Sequence, residues 1–293
     1  MRVSDNMLGT TLISDLQRVQ SQMLQVQQQV ATGQRIQAPS NDPVGTENVL
    51  QWDSALAQNT QDQTNAQDAL SWLNAGSNSL SQGVSILQEV RSLAVSVGSG
   101  DLTSNQLQSV ADQVTSAANS LAQVANTKVG ADYIFSGDQT QTIPFVQGTG
   151  GTWTYQGNSG AIARELAPGM SVPVNVPGGT LFGPAFSAIQ QILTDLGSGA
   201  VGNVTGADLK QLDSAISGLT GGEGLVGGRA QQVTSAQSQL VNMEATLKQL
   251  RAGTLDTNVT QAVVQLQQLQ VSYQSALAVG AQLMQKTLAN YLP

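Results

Sequence analysis

The chain has 293 residues, enough for one large domain or two to three small ones. Only 10 % of them are charged, well under the roughly 25 % usual for soluble proteins, and Gln, Ser, Thr and Asn supply most of the polar surface. The net charge of −8 and the scatter of eleven basic residues exclude a duplex nucleic-acid binder, while the absence of Cys and His excludes disulfides, zinc fingers, thiolate nucleophiles and imidazole bases.

The opening MRVSDNMLGTTLISDL lacks the apolar run of about 7–15 residues that marks a secretory signal. No stretch reaches the roughly 18 apolar residues of a membrane span. A protein of this kind leaves the cell, if it does, without a cleaved signal peptide and makes no membrane contact. The first apolar positions are Leu8, Leu12, Leu16, Val19, Met23, Val26 and Val30. After two steps of four they alternate three and four, which predicts a helix with a narrow coiled-coil seam.

ATGQRIQAPSNDPVGT at 31–46 interrupts this helix. Gly33 suits the left-handed residue that ends a helix, and Asp42-Pro43 reads as an N-cap followed by a first-turn proline. The next helix is predicted over 44–97, through Val49, Trp52, Leu56, Ala66, Leu70 and Leu73, then Leu80, Val84, Leu87, Val90, Ala94 and Val97. Polar Asn59 and Gln63 occupy the middle of its seam, and Gly76 and Gly83 are candidate kinks. A turn at 98–101 sends the ladder Leu107, Val110, Val114, Ala117, Leu121 and Val124 back as a second, antiparallel rod.

From 130 onward aromatics and prolines concentrate. DYIFSG, GTWTYQG and AIARELA read as short strands bounded by glycines. In SVPVNVPGG the valines Val172, Val174 and Val176 alternate on one face, with Pro173 and Pro177 denying hydrogen bonds on the other. Helices are expected again at 184–197 and 206–219. A glycine-rich turn, GGEGLVGG, then precedes the ladder Val233, Ala236, Leu240, Met243, Leu247 and Leu250. RAGTLDTN at 251–258 breaks the chain a second time, and a looser stripe closes it: Val259, Val263, Leu266, Leu269, Tyr273, Leu277, Leu283 and Leu288.

The expected fold is mainly α, with long coiled-coil-like helical rods and a small β-rich insert. Terminal helices at 1–42 and 253–293 form a core domain, 43–130 with 184–252 a helical rod domain, and 131–183 a β-rich outer domain. The assembly seam is assigned to Leu12, Leu16, Val19, Met23, Val26, Val30, Leu266, Leu269, Tyr273, Leu277, Leu283 and Leu288, because these positions lie outside the two breakers. Gly33, Arg35, Pro39, Asp42 and Pro43 form a hinge between domains. For Arg35 two readings stand, a solvated loop arginine and an anchor between packed helices, for which its planar donor fork is suited. The terminal seams are too thin to offset the ordering of their own helices, which predicts disorder in the free monomer and folding on assembly. The glycine clusters GTGGTW and GGEGLVGG do not lead into a phosphate loop or a dinucleotide fold. No catalytic, cofactor or metal site is assigned, since the carboxylates lie scattered along polar helix surface.

Four stretches resemble the axial proteins of bacterial flagella, the flagellin family. They are the opening MRVSDNM, the breaker ATGQRIQAPSNDPVG, the passage VGADYIFSGDQTQTIPF and the closing VSYQSALAVGAQLMQKTLANYL. Thr32, Gly33, Arg35, Ile36, Pro39, Ser40, Asp42 and Pro43 match the family's breaker, while Gln37, Ala38 and Asn41 depart from it. Pro39, Pro43, the YIFSG stretch and the short insert make the chain more similar to members at the junction of hook and filament than to flagellin itself. The resemblance implies a structural protein and not an enzyme. It implies a ring of identical subunits between another hook-associated protein and flagellin, export by the flagellar type III apparatus to the extracellular flagellum, and an export chaperone on the C-terminal seam. Flagellin is the first alternative, and a secreted adhesin or binding module using the β insert is the second.

Overall fold

A computed structural model describes the backbone of residues 2–98, 100 and 102–289, and the side chains of these except 2–6, 8 and 283–289. Eight α-helices and three β-hairpins make up the described chain. It divides into two compact units, one of residues 1–58 with 244–293 and the other of residues 59–243. The division falls inside two long helices, α2 (Pro43–Val97) and α7 (Leu209–Leu255), so residues 33–42 and 256–258 lie within the first unit.

The first unit holds α1 (Arg2–Thr32), the start of α2, the end of α7 and α8 (Val259–Ala289). Helices α1 and α8 pack against each other and run antiparallel, since Gln34 bridges Asp256 at one end while Leu12 meets Gly280 farther along.

In the second unit α3 (Ser104–Ala125) begins at a capping box. The Thr103 hydroxyl accepts from the Gln106 amide, and the Gln106 side chain accepts from the Thr103 amide. Helix α3 packs most closely on α5 (Gly183–Ser198), and both join α2 and α7 in one apolar core. Leu73, Leu80, Leu87, Leu121, Ile189, Ile192, Leu212 and Leu219 are buried there. Helix α2 is continuous through Gly76 and Gly83. A Cβ at Gly83 would lie 2.9 Å from Leu219 Cδ2 and 3.1 Å from the Phe182 ring, so this glycine serves close packing and not a kink.

The insert forms three two-stranded hairpins: β1 (Lys128–Val129) with β2 (Asp132–Tyr133), β3 (Phe145–Gln147) with β4 (Trp153–Tyr155), and β5 (Ala163–Ala167) with β6 (Met170–Pro173). Such ribbons are marginal alone. Here their side chains enter the helical core: Phe135 meets Phe182 edge-on with ring centroids 5.0 Å apart, and Phe145 lies 4.8 Å from Phe186. The Asn126 amide, just past α3, accepts from and donates to the Phe145 backbone at 2.8 and 2.9 Å. Val172 and Val174 are buried on one face, as their alternation predicts. The short helix α4 (Gly178–Leu181) then leads into α5.

Between α5 and α7 the chain turns a corner through α6 (Val201–Asn203) and a π turn, Val204–Asp208. Gly199, at φ 73°, ends α5 in the left-handed conformation. The expected turn at GGEGLVGG is absent, because that stretch lies inside α7. Leu219 just before it and Val226 within it are buried, so tertiary packing overrides the low helix propensity of glycine. Farther along α7, Val233, Ala236 and Leu240 stay in the core, whereas Met243 and Leu250 of the same ladder are exposed.

Two glycines should therefore respond in opposite directions. Gly224→Ala, with open space around its Cβ position, should raise urea stability by about 1 kcal/mol. Gly83→Ala, wedged between Leu219 and Phe182, should lower it by about 1–3 kcal/mol.

Candidate assembly interface

The seam begins with the steps along α1. Leu12, Leu16, Val19, Met23 and Val30 are half-buried, and Val26 is 5 % exposed. Helix α8 answers with Ala262 and Gly280 buried and Leu266, Leu269, Tyr273 and Ala276 half-buried, again in alternating steps of four and three. The ladders run in step, because a Cβ on Gly280 would stand 2.7 Å from Leu12 Cδ2. Stepping inward from that pair places Leu16 level with Ala276 and Val19 level with Tyr273, large residues alternating with small.

One assigned seam residue stands apart from this stripe. Leu277 is 45 % exposed, one position past the inward Ala276. Leu283 and Leu288 lie outside the described side chains. Ala262, Ala276 and Gly280 are the members that apolar periodicity missed, being too small to register as hydrophobic signal.

Each helix of the pair also carries exposed apolar residues away from the seam. On α8, Val264, Val271 and Val279 recur at seven and eight residues, which puts them on one face. On α1, Ile13 and Leu24 are eleven apart, three turns of helix, and both are exposed. Val271 is 63 % exposed.

The breaker after α1 is tightly connected. Gly33, at φ 70°, donates to the Gln29 carbonyl and closes the helix. The chain then makes one antiparallel bridge, with the Arg35 amide donating to Leu255 O at 2.7 Å and the Thr257 amide to Gly33 O at 2.8 Å. Pro39 sits at the second position of a tight turn, in which the Asn41 amide donates to Ala38 O and the Ala38 amide to the Asn41 side chain. Asp42 caps α2 by accepting from the Gly45 amide at 2.8 Å, and Pro43 occupies the first turn. Gly45 leaves room for this cap, since a Cβ there would lie 2.5 Å from Asp42 Oδ2 and 2.6 Å from Ile36 Cδ1.

Arg35 joins the two breakers. Its Nη2 donates to Asp42 Oδ2 at 3.1 Å and to the Thr254 carbonyl at 2.9 Å, with the side chain 46 % exposed. Beneath it Ile36, Val49 and Leu255 form a small buried cluster capped by Trp52. Arg251 and Asp53 pair at 2.6 Å between α7 and α2, and Asn258 caps α8 by accepting from the Gln261 amide. Beside these contacts lies an open groove of ≈ 560 Å³, with Gln22, Gln25 and Gln29 on one wall and Gln261 and Gln265 on the other. Its lining is mostly neutral amide, able to donate and accept toward another polar surface. Among the described residues no group of three or more His, Cys, Asp or Glu is placed to hold a metal, and no helix is long and apolar enough to cross a membrane.

The Gly45 amide, and then Arg35, hold the Asp42 carboxyl below its ordinary value of 3.8. A lowered carboxylate value stabilises the fold above 3.8, and this contribution is lost as pH falls through the lowered value. The joint should therefore hold unchanged from neutral pH to about pH 4 and loosen below it, and Asp42→Asn should abolish that acid-dependent part. Arg35→Ala removes a half-exposed pair and a carbonyl contact, and should speed proteolytic nicking within 33–42 by about two- to fivefold at pH 7.

Residues 3–140 match the family model of the bacterial flagellin N-terminal helical region. The chain is 27 % identical over 225 residues to flagellar hook-associated protein 3 of Salmonella typhimurium, covering 75 % of this chain and 67 % of that one. Among solved structures, FlgL of Bacillus cereus superposes with a TM-score of 0.61 at 20 % identity, covering 69 % of this chain and 99 % of that one. The flagellar junction protein FlgL of Legionella pneumophila superposes at 0.59 with 16 % identity, over 70 % of this chain and 100 % of that one. The two structures establish the shared fold of long helices with small β-hairpins, and the family model and sequence relative carry the ancestry. The chain carries the flagellin N-terminal helical region and is a homologue of flagellar hook-associated protein 3.

Proposed function

We propose that this protein is a structural subunit of the bacterial flagellum that assembles as a ring at the hook–filament junction and joins another hook-associated protein to flagellin. The observation that carries the proposal is the exposed apolar surface of the α1–α8 pair. The two helices bury one narrow stripe against each other and leave Ile13, Leu24, Val264, Val271 and Val279 outside. Exposed apolar residues in line on each helix are surfaces for further helices. Neighbouring copies and flagellin-like subunits supply helices of the same kind. The homology to hook-associated protein 3 supports the junction over the filament body.

In this reading residues 1–42 and 253–293 form the shared core of the assembly, 43–130 with 184–252 the helical rods, and 131–183 the outer β region. Gly33, Arg35, Pro39, Asp42 and Pro43 set the direction in which α1 leaves α2. The protein acts through packing and not through catalysis. It reaches the flagellum through the type III export apparatus, and an export chaperone covers the apolar C-terminal helix beforehand.

A deletion strain should keep its hooks but release flagellin into the medium, and the wild-type gene should restore filaments. Val271→Glu or Leu24→Glu places a charge on the outer apolar face without entering the seam. Each should leave the purified chain as helical as wild type by circular dichroism, yet lower filament attachment by about tenfold or more. Filaments at wild-type number with both variants would contradict the proposed interface. If the purified chain instead polymerises alone into long filaments, it is a filament subunit.

A further inference from the structure

The corner between α5 and α7 contains an arrangement that assembly does not use. Asp195, near the end of α5, and Asp208, the last residue of the π turn, are 7 % and 2 % exposed. Asp208 Oδ2 has no hydrogen-bond partner. The Asp195 carboxylate lies against it and holds the Gln191 amide at 3.2 Å on its own Oδ2. Two buried carboxylates cannot both be ionised side by side without a cation, because each charge is desolvated and repels the other.

Among the described residues no basic side chain pairs with either carboxylate. Helix α5 carries no charged residue besides Asp195, and α6 carries none. At the start of α7 Lys210 is exposed, and Asp213 is tied to Arg91 of α2 at 2.6 Å. Thr205, in the π turn, contacts the end of α2 at Gly98 and brings no charge. Asp101 lies outside the described residues. A proton is then the remaining group that satisfies both the orphaned oxygen and the charge.

We propose that Asp195 and Asp208 share one proton as a carboxyl–carboxylate pair that latches the α5–α7 corner, closed while the proton is held and opened when it is lost. The protonated Asp208 oxygen donates to Asp195, and the pair carries a single negative charge. Loss of the proton leaves two adjacent anions, and the less constrained one must move out to water. Asp208 is that one, because Asp195 is held by Gln191 while its backbone carbonyl accepts from Ala200 and Ser198. The π turn is built to yield. It interrupts the regular helical hydrogen bonding between α6 and α7, and the Cβ positions of Gly202 and Gly206 meet nothing within 4 Å. Opening displaces one buried apolar residue of the turn, Val204.

Burial, reinforced by Asp195, raises the Asp208 carboxyl above the ordinary 3.8. The folded chain then keeps a proton that the unfolded chain has lost. Stability falls as pH rises from 3.8 through the raised value, opposite in sign to the contribution of Asp42.

Carboxyl ¹³C titration of the full chain tests the pair directly. Asp208 should titrate above 3.8, and Asp195→Asn should bring its midpoint down. A midpoint at or below 3.8 in the wild type would overturn the proposal. Amide exchange over 201–208, corrected for intrinsic rates and read on either side of that midpoint, should accelerate above it in the wild type and stay constant in Asp208→Asn. Equal corrected rates on both sides of the midpoint in the wild type would also overturn the proposal. Asp208→Asn supplies the neutral donor permanently and should melt about 2–4 °C higher than wild type at pH 8. If that variant does not fold, the wild-type titration and exchange decide alone.

Discussion

The antiparallel register of α1 against α8 is the constraint on which the rest of the terminal unit depends. It is fixed at one end by backbone hydrogen bonds, where Gln34 bridges Asp256 with Arg35 donating to Leu255 and Thr257 to Gly33. From there each helix carries apolar residues in steps of three and four. Because both count from the same bridge, the inward faces stay matched as far as Leu12 and Gly280. A slip by one residue in the breaker would rotate α1 by about 100° relative to its partner and carry its stripe off the seam. This explains why the breaker is so densely tied. Gly33 stops the helix, Arg35 links Asp42 to Thr254, and Ile36 drops into the cluster with Val49 and Leu255. The same register decides what stays outside, since the seam accepts one stripe and leaves the valines of α8 uncovered.

The second unit solves a different problem. Its hairpins are too short to be stable as free ribbons, so each relies on contacts outside its own strands. The aromatic side chains of β3 and β4 pack onto Phe182 and Phe186, and Asn126 ties the end of α3 to Phe145. The Tyr155 hydroxyl donates to backbone carbonyls of the same region, Phe135 at 2.9 Å and Asn158 at 2.8 Å. The insert is therefore part of the helical core by packing, although its composition changes sharply from that of the flanking helices.

Much of this was legible in the sequence, and the exceptions have physical causes. The apolar stripe of α1, the extent of α2, the Asp42-Pro43 start and the alternation of Val172 with Val174 follow from periodicity and capping chemistry, which are local, although the stripe assigned to assembly meets α8 of the same chain. Ala276 and Gly280 escaped because small residues pack by permitting close approach, and that carries no hydrophobic signal. GGEGLVGG reads as a turn by propensity, yet burial of Leu219 and Val226 outweighs several weak glycines. The need for glycine at position 45 arises only when Asp42 and Ile36 converge on it. Asp195 and Asp208 become a pair only through the corner that joins their helices, so no local pattern marks them. Within the candidate interface, the α1 stripe was readable because its members are large, whereas the outer valines of α8 gained meaning once the inward face was known.

The central claim is that the α1–α8 pair reaches full burial only beside neighbouring subunits. Hydrogen exchange on the full chain, free in solution and within assembled junctions, measures this most directly. The account predicts fast exchange over 5–30 and 260–288 in the free chain and strong protection over the same residues after assembly. Strong protection throughout both segments in the free chain, unchanged on assembly, would contradict it.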